Sequence, residues 1–307
     1  MFHCVLCTNE FSDSQRTEEH VFPESVGGTL VFFELCKPCN DHLGQTADAA
    51  LADHFLIQLV RMRLELRGKT GHLPNPLRDG KDEVGRSYRR DHDGAVHQQP
   101  QIEHLPDGSV RVSVAEADQA ALADMIEKVI VRARRKGLEP TTISAPETTA
   151  APAPPLNFKP EFDLEHFKSG LLKIAYEVAY LALGADYLLD PTAIAFRKLL
   201  QLDRVTLEEA KTTSLECHFG GLGRPLIPMA GDSDRTLVAA AWEDPSDGGA
   251  HVYVRVLDTF DVLIRVTDDT LPYDIDEGGR SWLIDAVTGE LLESNAFAIL
   301  SKWTGPP

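Results

Sequence analysis

The chain has 307 residues, 43% of them hydrophobic and 25% charged, which supplies core material for one large domain or two modest ones and excludes a fibre or a wholly disordered chain. No apolar run approaches the roughly 20 residues that span a bilayer, and the N-terminus lacks the basic segment and long apolar run of a secretory signal, so no membrane association and a cytoplasmic location are expected. The net charge of −18 excludes tight, indiscriminate binding of nucleic acid by the whole surface, because such binding needs a basic footprint.

The first elements are cysteine knuckles. Four of the five cysteines form Cys4-x-x-Cys7 and Cys36-x-x-Cys39, while Cys217 stands alone. In a reducing compartment this pattern reads as a metal site rather than as disulfides. Each CxxC turn presents two sulfurs, and two knuckles 28 residues apart can close tetrahedrally around one structural Zn²⁺. For a module this small the ion supplies much of the folding energy.

A helix is expected over residues 49–67, ended by Gly68-Lys69-Thr70-Gly71 and by Pro74 and Pro76. Residues 81–115 are polar, with one alternating strand at 109–114. An amphipathic helix follows over 115–136, with Ala121, Met125, Val129 and Ile130 at its apolar positions. Residues 139–160 are rich in Pro, Thr and Ala and read as an extended linker.

Beyond the linker, 164–183 is apolar at helical spacing and stops at Gly184, and Asp190-Pro191 opens a second helix running to about Leu200. Four β-branched or aromatic stretches come last, at 236–242, 252–257, 262–266 and 281–286. Turns such as Asp247-Gly248-Gly249 and Thr288-Gly289 separate them, which predicts an antiparallel sheet with Trp242, Tyr253, Phe260, Trp282 and Trp303 in its core. Three segments result: 1–80, a connecting region at 81–160, and 161–307.

Three basic clusters are the candidates for phosphate contact, each of which reads equally well as a solvated face. They are Arg61, Arg63, Arg67 and Lys69; Arg86, Arg89 and Arg90; and Arg132, Arg134, Arg135 and Lys136. Cys217-His218 is too small a group to imply a second metal. Gly220-Gly221-Leu222-Gly223 has no Lys-Ser/Thr after it and does not make a phosphate loop.

Between the knuckles stands Thr17-Glu18-Glu19-His20-Val21-Phe22-Pro23-Glu24-Ser25-Val26-Gly27-Gly28, and the second knuckle runs into Asn40-Asp41-His42-Leu43-Gly44. The order of CxxC, acidic-His-x-x-Pro, Gly-Gly and CxxC-Asn resembles the HNH endonucleases, the ββα-metal class, and among them the zinc-binding branch. The specific resemblance covers about a quarter of the chain. The helix around Leu171-Leu172-Lys173-Ile174-Ala175-Tyr176-Glu177 is also similar to one in longer members.

The resemblance implies an α+β protein: an N-terminal zinc-stapled ββα-metal module, then a mixed helical and antiparallel-β C-terminal domain serving regulation, dimerisation or substrate selection. It further implies metal-dependent hydrolysis of phosphodiester bonds in DNA, in a regulated defence or mobile-element nuclease. By carry-over His20 is the general base, and Glu19 and Asn40 are catalytic ligands of a divalent ion, Mg²⁺ or Mn²⁺. Glu18 is the alternative carboxylate, Asn40 reads alternatively as a helix cap, and His42 as a phosphate-facing residue. Asp48 is expected to orient a basic side chain or the backbone, and His54 to be packed or exposed. Many members brace the loop carrying the base with an Asn five residues before the second knuckle. That position is Val31 here, so the loop has to be held another way. An activating partner acting through the C-terminal domain and a homodimer are compatible with this reading. The competing reading is a zinc-knuckle module that binds nucleic acid or a protein partner and cuts nothing.

Overall fold

The computed structural model of the protein describes residues 1–69, 71–115, 118–139, 142–147, 152–160, 163, 165–203, 216–221, 226, 233–246, 248–273 and 275–297. The chain packs as two units, Met1–Pro74 together with Phe162–Pro307, and Asn75–Glu161. Sequence divides the chain near 80 and 160 into three segments. The structure instead brings the first and last of them around one shared core.

The N-terminal part is built from two antiparallel pairs, β1 (Phe2–His3) with β2 (Glu10–Phe11), and β3 (Arg16–His20) with β4 (Val31–Cys36). The β3–β4 connection depends on its two glycines. Gly27 sits at φ +90°, and a Cβ on Gly28 would come 2.0 Å from the Phe22 carbonyl oxygen. Helix α1 (Lys37–Leu43) starts from the second knuckle and continues through a π-helical turn at Gly44–Asp48 into α2 (Ala49–Ala52). The helix expected over 49–67 is interrupted. His54 leaves helical dihedrals (ψ 131°), and its ring accepts the Leu56 N–H to cap α3 (Phe55–Arg63).

The second unit holds a three-stranded meander, β5 (Asp79–Lys81), β6 (Ser87–Arg90) and β7 (Val96–Gln98). It also holds a hairpin of β8 (Gln101–His104) and β9 (Val110–Ser113), and helix α4 (Gln119–Arg135). Only one of these five strands is expected from sequence. The Pro/Thr/Ala-rich stretch is not wholly a linker, because Asn157 exchanges backbone hydrogen bonds with Lys81 at 2.7 and 3.0 Å.

Back in the first unit, α5 (Phe167–Leu183) and α6 (Pro191–Leu200) lie where sequence places them, with Gly184 at φ +79° and the Asp190 carboxylate accepting the Thr192 N–H at 2.7 Å. The remaining strands are β10 (Cys217–Gly221), β11 (Thr236–Glu243), β12 (Ala250–Val256), β13 (Phe260–Thr267), β14 (Arg280–Asp285) and β15 (Leu291–Ser294). They form one antiparallel sheet in the order β10-β13-β12-β11-β14-β15. The four middle strands are the expected ones, and the short edges β10 and β15 are additions. Tyr253, Phe260 and Trp282 are buried in the sheet, Trp242 is only half-buried, and Trp303 lies outside the described residues.

Helix α5 is the centre of this unit. It packs on α2 and the π-helical turn on one side and on β11, β12 and β13 on the other. Leu171, Ile174, Ala175 and Val178 are all fully buried. A helix buried on nearly every face, its charges paired inside, belongs within a core rather than on its surface. Gly170 is the point of closest approach: a Cβ there would meet the Leu51 Cβ at 2.6 Å and the Ala47 carbonyl oxygen at 2.7 Å. Gly170→Ala is therefore expected to cost about 1–3 kcal/mol through overpacking, read as a lower urea midpoint with the denaturant slope unchanged. A wild-type midpoint would mean that α5 is not seated on α2.

Candidate functional site

The four knuckle cysteines converge. Their sulfurs lie within 4.8 Å of one another, and Cys7 Sγ stands 4.0 Å from Cys36 Sγ. Four thiolates at 2.3 Å around a tetrahedral ion would stand about 3.8 Å apart, so the cluster fits a structural zinc. Among the described residues, it is the one group of three or more His, Cys, Asp or Glu side chains close enough to share an ion. Cys217-His218 is not part of such a group. A hydrogen bond from the Cys39 thiol pulls Cys4 down to about 5 against the effect of its burial, and the same contact pushes Cys39 up. Tyr176 from α5 donates to the Val5 carbonyl at 2.5 Å and Gln201 to the Leu6 carbonyl at 3.2 Å. The C-terminal segment thus satisfies the first knuckle's backbone.

His20 ends β3, paired with Val31 across the hairpin. Its Nδ1 lies 3.2 Å from the Gly28 carbonyl oxygen. A carbonyl only accepts, so Nδ1 donates this bond and Nε2 is the ring nitrogen left to face the outer side of the strand. Glu18 lies on the same side of the strand, with Oε1 3.3 Å from His20 Nε2, where it would stabilise the imidazolium formed on proton uptake. Asn40 donates its amide nitrogen to the Glu18 carbonyl at 2.7 Å and to Thr17 Oγ1 at 3.1 Å. It therefore ties α1 to β3, which leaves its amide oxygen as the group available to a cation.

Glu19 faces the other way. It is 3% exposed and ion-paired with Lys173 of α5, which is itself fully buried. Lys173 also stands 3.2 Å from Asp48 and 3.1 Å from Glu177, and it donates to the His20 carbonyl at 2.5 Å and the Val21 carbonyl at 3.3 Å. Burial alone would lower the Lys173 pKa, but Asp48, Glu177 and Glu19 outweigh it and hold the ammonium charged. Burial pushes Glu177 well above the usual carboxyl range, with Lys173 opposing. The same balance carries Asp48 up to about 6. Removing one partner of a buried ion pair typically costs about 3–5 kcal/mol, so this cluster is a strong local constraint.

Sequence reasoning brings His20, Glu18, Glu19 and Asn40 into one neighbourhood but misses Lys173. A Lys and a Glu four residues apart inside an otherwise apolar helix are the signal that could have found it. Asp48 does face a basic side chain, as expected. His42 does not face solvent phosphate, since its Nε2 donates to the Leu200 carbonyl at 3.0 Å. His54 is packed, its ring 5.1 Å from Phe167 and 4.8 Å from Phe260. Arg61 is buried with Nη1 on the Ala52 carbonyl at 3.2 Å, and Arg63 pairs with Asp234 at 2.9 Å. The first basic cluster therefore presents less free charge than its sequence suggests.

Because the knuckles join β1, β2, β4 and α1 through their sulfurs, Cys4→Ser is expected to lose bound zinc and lower the melting temperature by about 4–8 °C or more, on the order of 2 kcal/mol or more. Metal content by elemental analysis and thermal circular dichroism check this. Full zinc occupancy in the variant would mean that the four cysteines do not share one ion.

Residues 4–56 match the family model described as HNH endonuclease, a span from the first knuckle cysteine into α3 that contains His20, Glu19 and Asn40. No curated protein and no solved structure matches the chain. Among the described residues, no helix is long and apolar enough to cross a membrane. The family-model match and the cysteine cluster it encloses make the N-terminal segment of this α+β protein similar to the HNH endonucleases.

Proposed function

We propose that the protein is a metal-dependent endonuclease that hydrolyses phosphodiester bonds in DNA, with His20 as general base. The observation that carries this reading is the hydrogen bond from His20 Nδ1 to the Gly28 carbonyl, which fixes the ring and turns Nε2 towards Glu18 on the outer side of the hairpin. In hydrolysis Nε2 takes a proton from the attacking water, the water oxygen bonds to phosphorus, and the bond to the leaving 3′-oxygen breaks. Glu18 then balances the imidazolium from 3.3 Å.

The oxygen donors here suit a hard divalent ion, Mg²⁺ or Mn²⁺. Asn40 would hold it through its free amide oxygen, with a carboxylate of the Glu18–Glu19 pair. Glu18 already stands on the His20 side, whereas Glu19 would have to leave Lys173. When bound, such an ion supplies Lewis-acid stabilisation of charge on the phosphate and leaving oxygens. Nucleic acid is the substrate class the family model supports, and DNA is the narrower proposal. The strongly acidic chain suits a restrained enzyme, as in defence or mobile-element nucleases controlled by a partner or ligand.

Purified protein is expected to nick or linearise supercoiled plasmid with Mg²⁺ or Mn²⁺ and not with EDTA. His20→Ala is expected to lower the rate by a factor of about 10²–10⁴ while DNA binding survives. Equal turnover by His20→Ala would remove the proposed base. Binding without cleavage under any metal would favour the module that only binds.

A further inference from the structure

The carbonyl that belongs to the proposed base is held by a side chain more than 150 residues away in sequence. Lys173 Nζ reaches the His20 carbonyl at 2.5 Å and the Val21 carbonyl at 3.3 Å from inside the core. These two groups lie where β3 ends and the chain turns towards Phe22 and the Gly27-Gly28 turn. Val21 and Phe22 on that turn are fully buried. The same turn supplies the Gly28 carbonyl that fixes His20 Nδ1. A shift in the peptide between His20 and Val21 would thus move the imidazole and its acceptor relative to each other.

We propose that Lys173 is a positioning residue for His20, fixing the strand end that carries the base, with Glu19 as the buried counter-charge that keeps the ammonium in place. Three features support it. The cross-strand neighbour of His20 is Val31, whose side chain donates no hydrogen bond and cannot brace the turn. Lys173 is on a helix packed on both sides, so its stem has a fixed origin. Lastly, Glu19 and His20 are adjacent on an extended strand and point to opposite faces, so anchoring Glu19 inward orients His20 outward. This inference rests on the nuclease reading for its kinetic consequence, but not for its structural one.

The test uses the full chain with zinc bound, and ¹⁵N-histidine labelling with His20 assigned by substitution. In folded Lys173→Met, the His20 Nδ1–H resonance is expected to shift upfield or broaden as its bond to Gly28 loosens. The kcat for plasmid cleavage is expected to fall at least 30-fold with KM within threefold, and Lys173→Arg to recover at least tenfold over Lys173→Met. If Lys173→Met fails to fold because it strands buried carboxylates, the charge-balanced Lys173→Met/Glu19→Gln is examined for the same resonance. An unshifted His20 signal in a folded variant would overturn the proposal, as would wild-type kcat in Lys173→Met. If the wild-type protein never cuts DNA, the nuclease reading fails separately and the His20 resonance alone decides the role of Lys173.

Discussion

A lysine ammonium without access to solvent has to be surrounded by acceptors, and those of Lys173 come from two distant stretches of chain and from its own helix. Glu19 and the His20 and Val21 carbonyls belong to the cysteine-knuckle module, Asp48 to the turn after its helix, and Glu177 to α5 itself. Desolvating that charge is tolerable only when all of them are in place. The cluster therefore specifies a relative position for β3, the π-helical turn and α5 more sharply than apolar packing can. Tyr176, one residue short of Glu177, adds the same logic at the first knuckle through the Val5 carbonyl.

The cysteine cluster and Lys173 do different jobs in this module. The cysteine cluster joins the two knuckles and so fixes where α1 begins, which places Asn40 against β3. It does not reach the far end of β3, where His20 stands. That end is gripped from the C-terminal segment, through Lys173 and through contacts such as Thr29 Oγ1 donating to the Gly289 carbonyl at 3.1 Å. A small knuckle module would otherwise leave His20 on a short hairpin with little core beneath it. Here the core beneath it is α5 and the six-stranded sheet.

This division explains what sequence could and could not reveal. The knuckles, His20 and Asn40 are local patterns whose spacing carries their chemistry, and α5, α6 and the four central strands are strongly periodic. The broken helix at Asp53–His54 was not legible, because a His cap depends on where the ring goes, and the ring goes between Phe167 and Phe260. The small strands of the second unit are three or four residues each, too short for periodicity to register. The merging of the first and last segments was hidden because nothing in either sequence names its partner. The inward turn of Glu19 was hidden for the same reason: adjacent glutamates look alike until one of them meets a buried cation.

The distribution of positive charge bears on how such a protein would meet a polyanion. Each basic cluster is partly compensated close by, Arg63 by Asp234, Arg86 by Asp82, Arg89 by Asp91 and Arg134 by Glu139, while Arg61 is turned inside. With a net charge of −18, long-range attraction is weak or repulsive, and counterion release from phosphate contacts can contribute only modestly to affinity. Under the proposed nuclease reading, capture of DNA would depend on short-range contacts at the hairpin and on the divalent ion that reading requires, which is itself a concentrated positive charge.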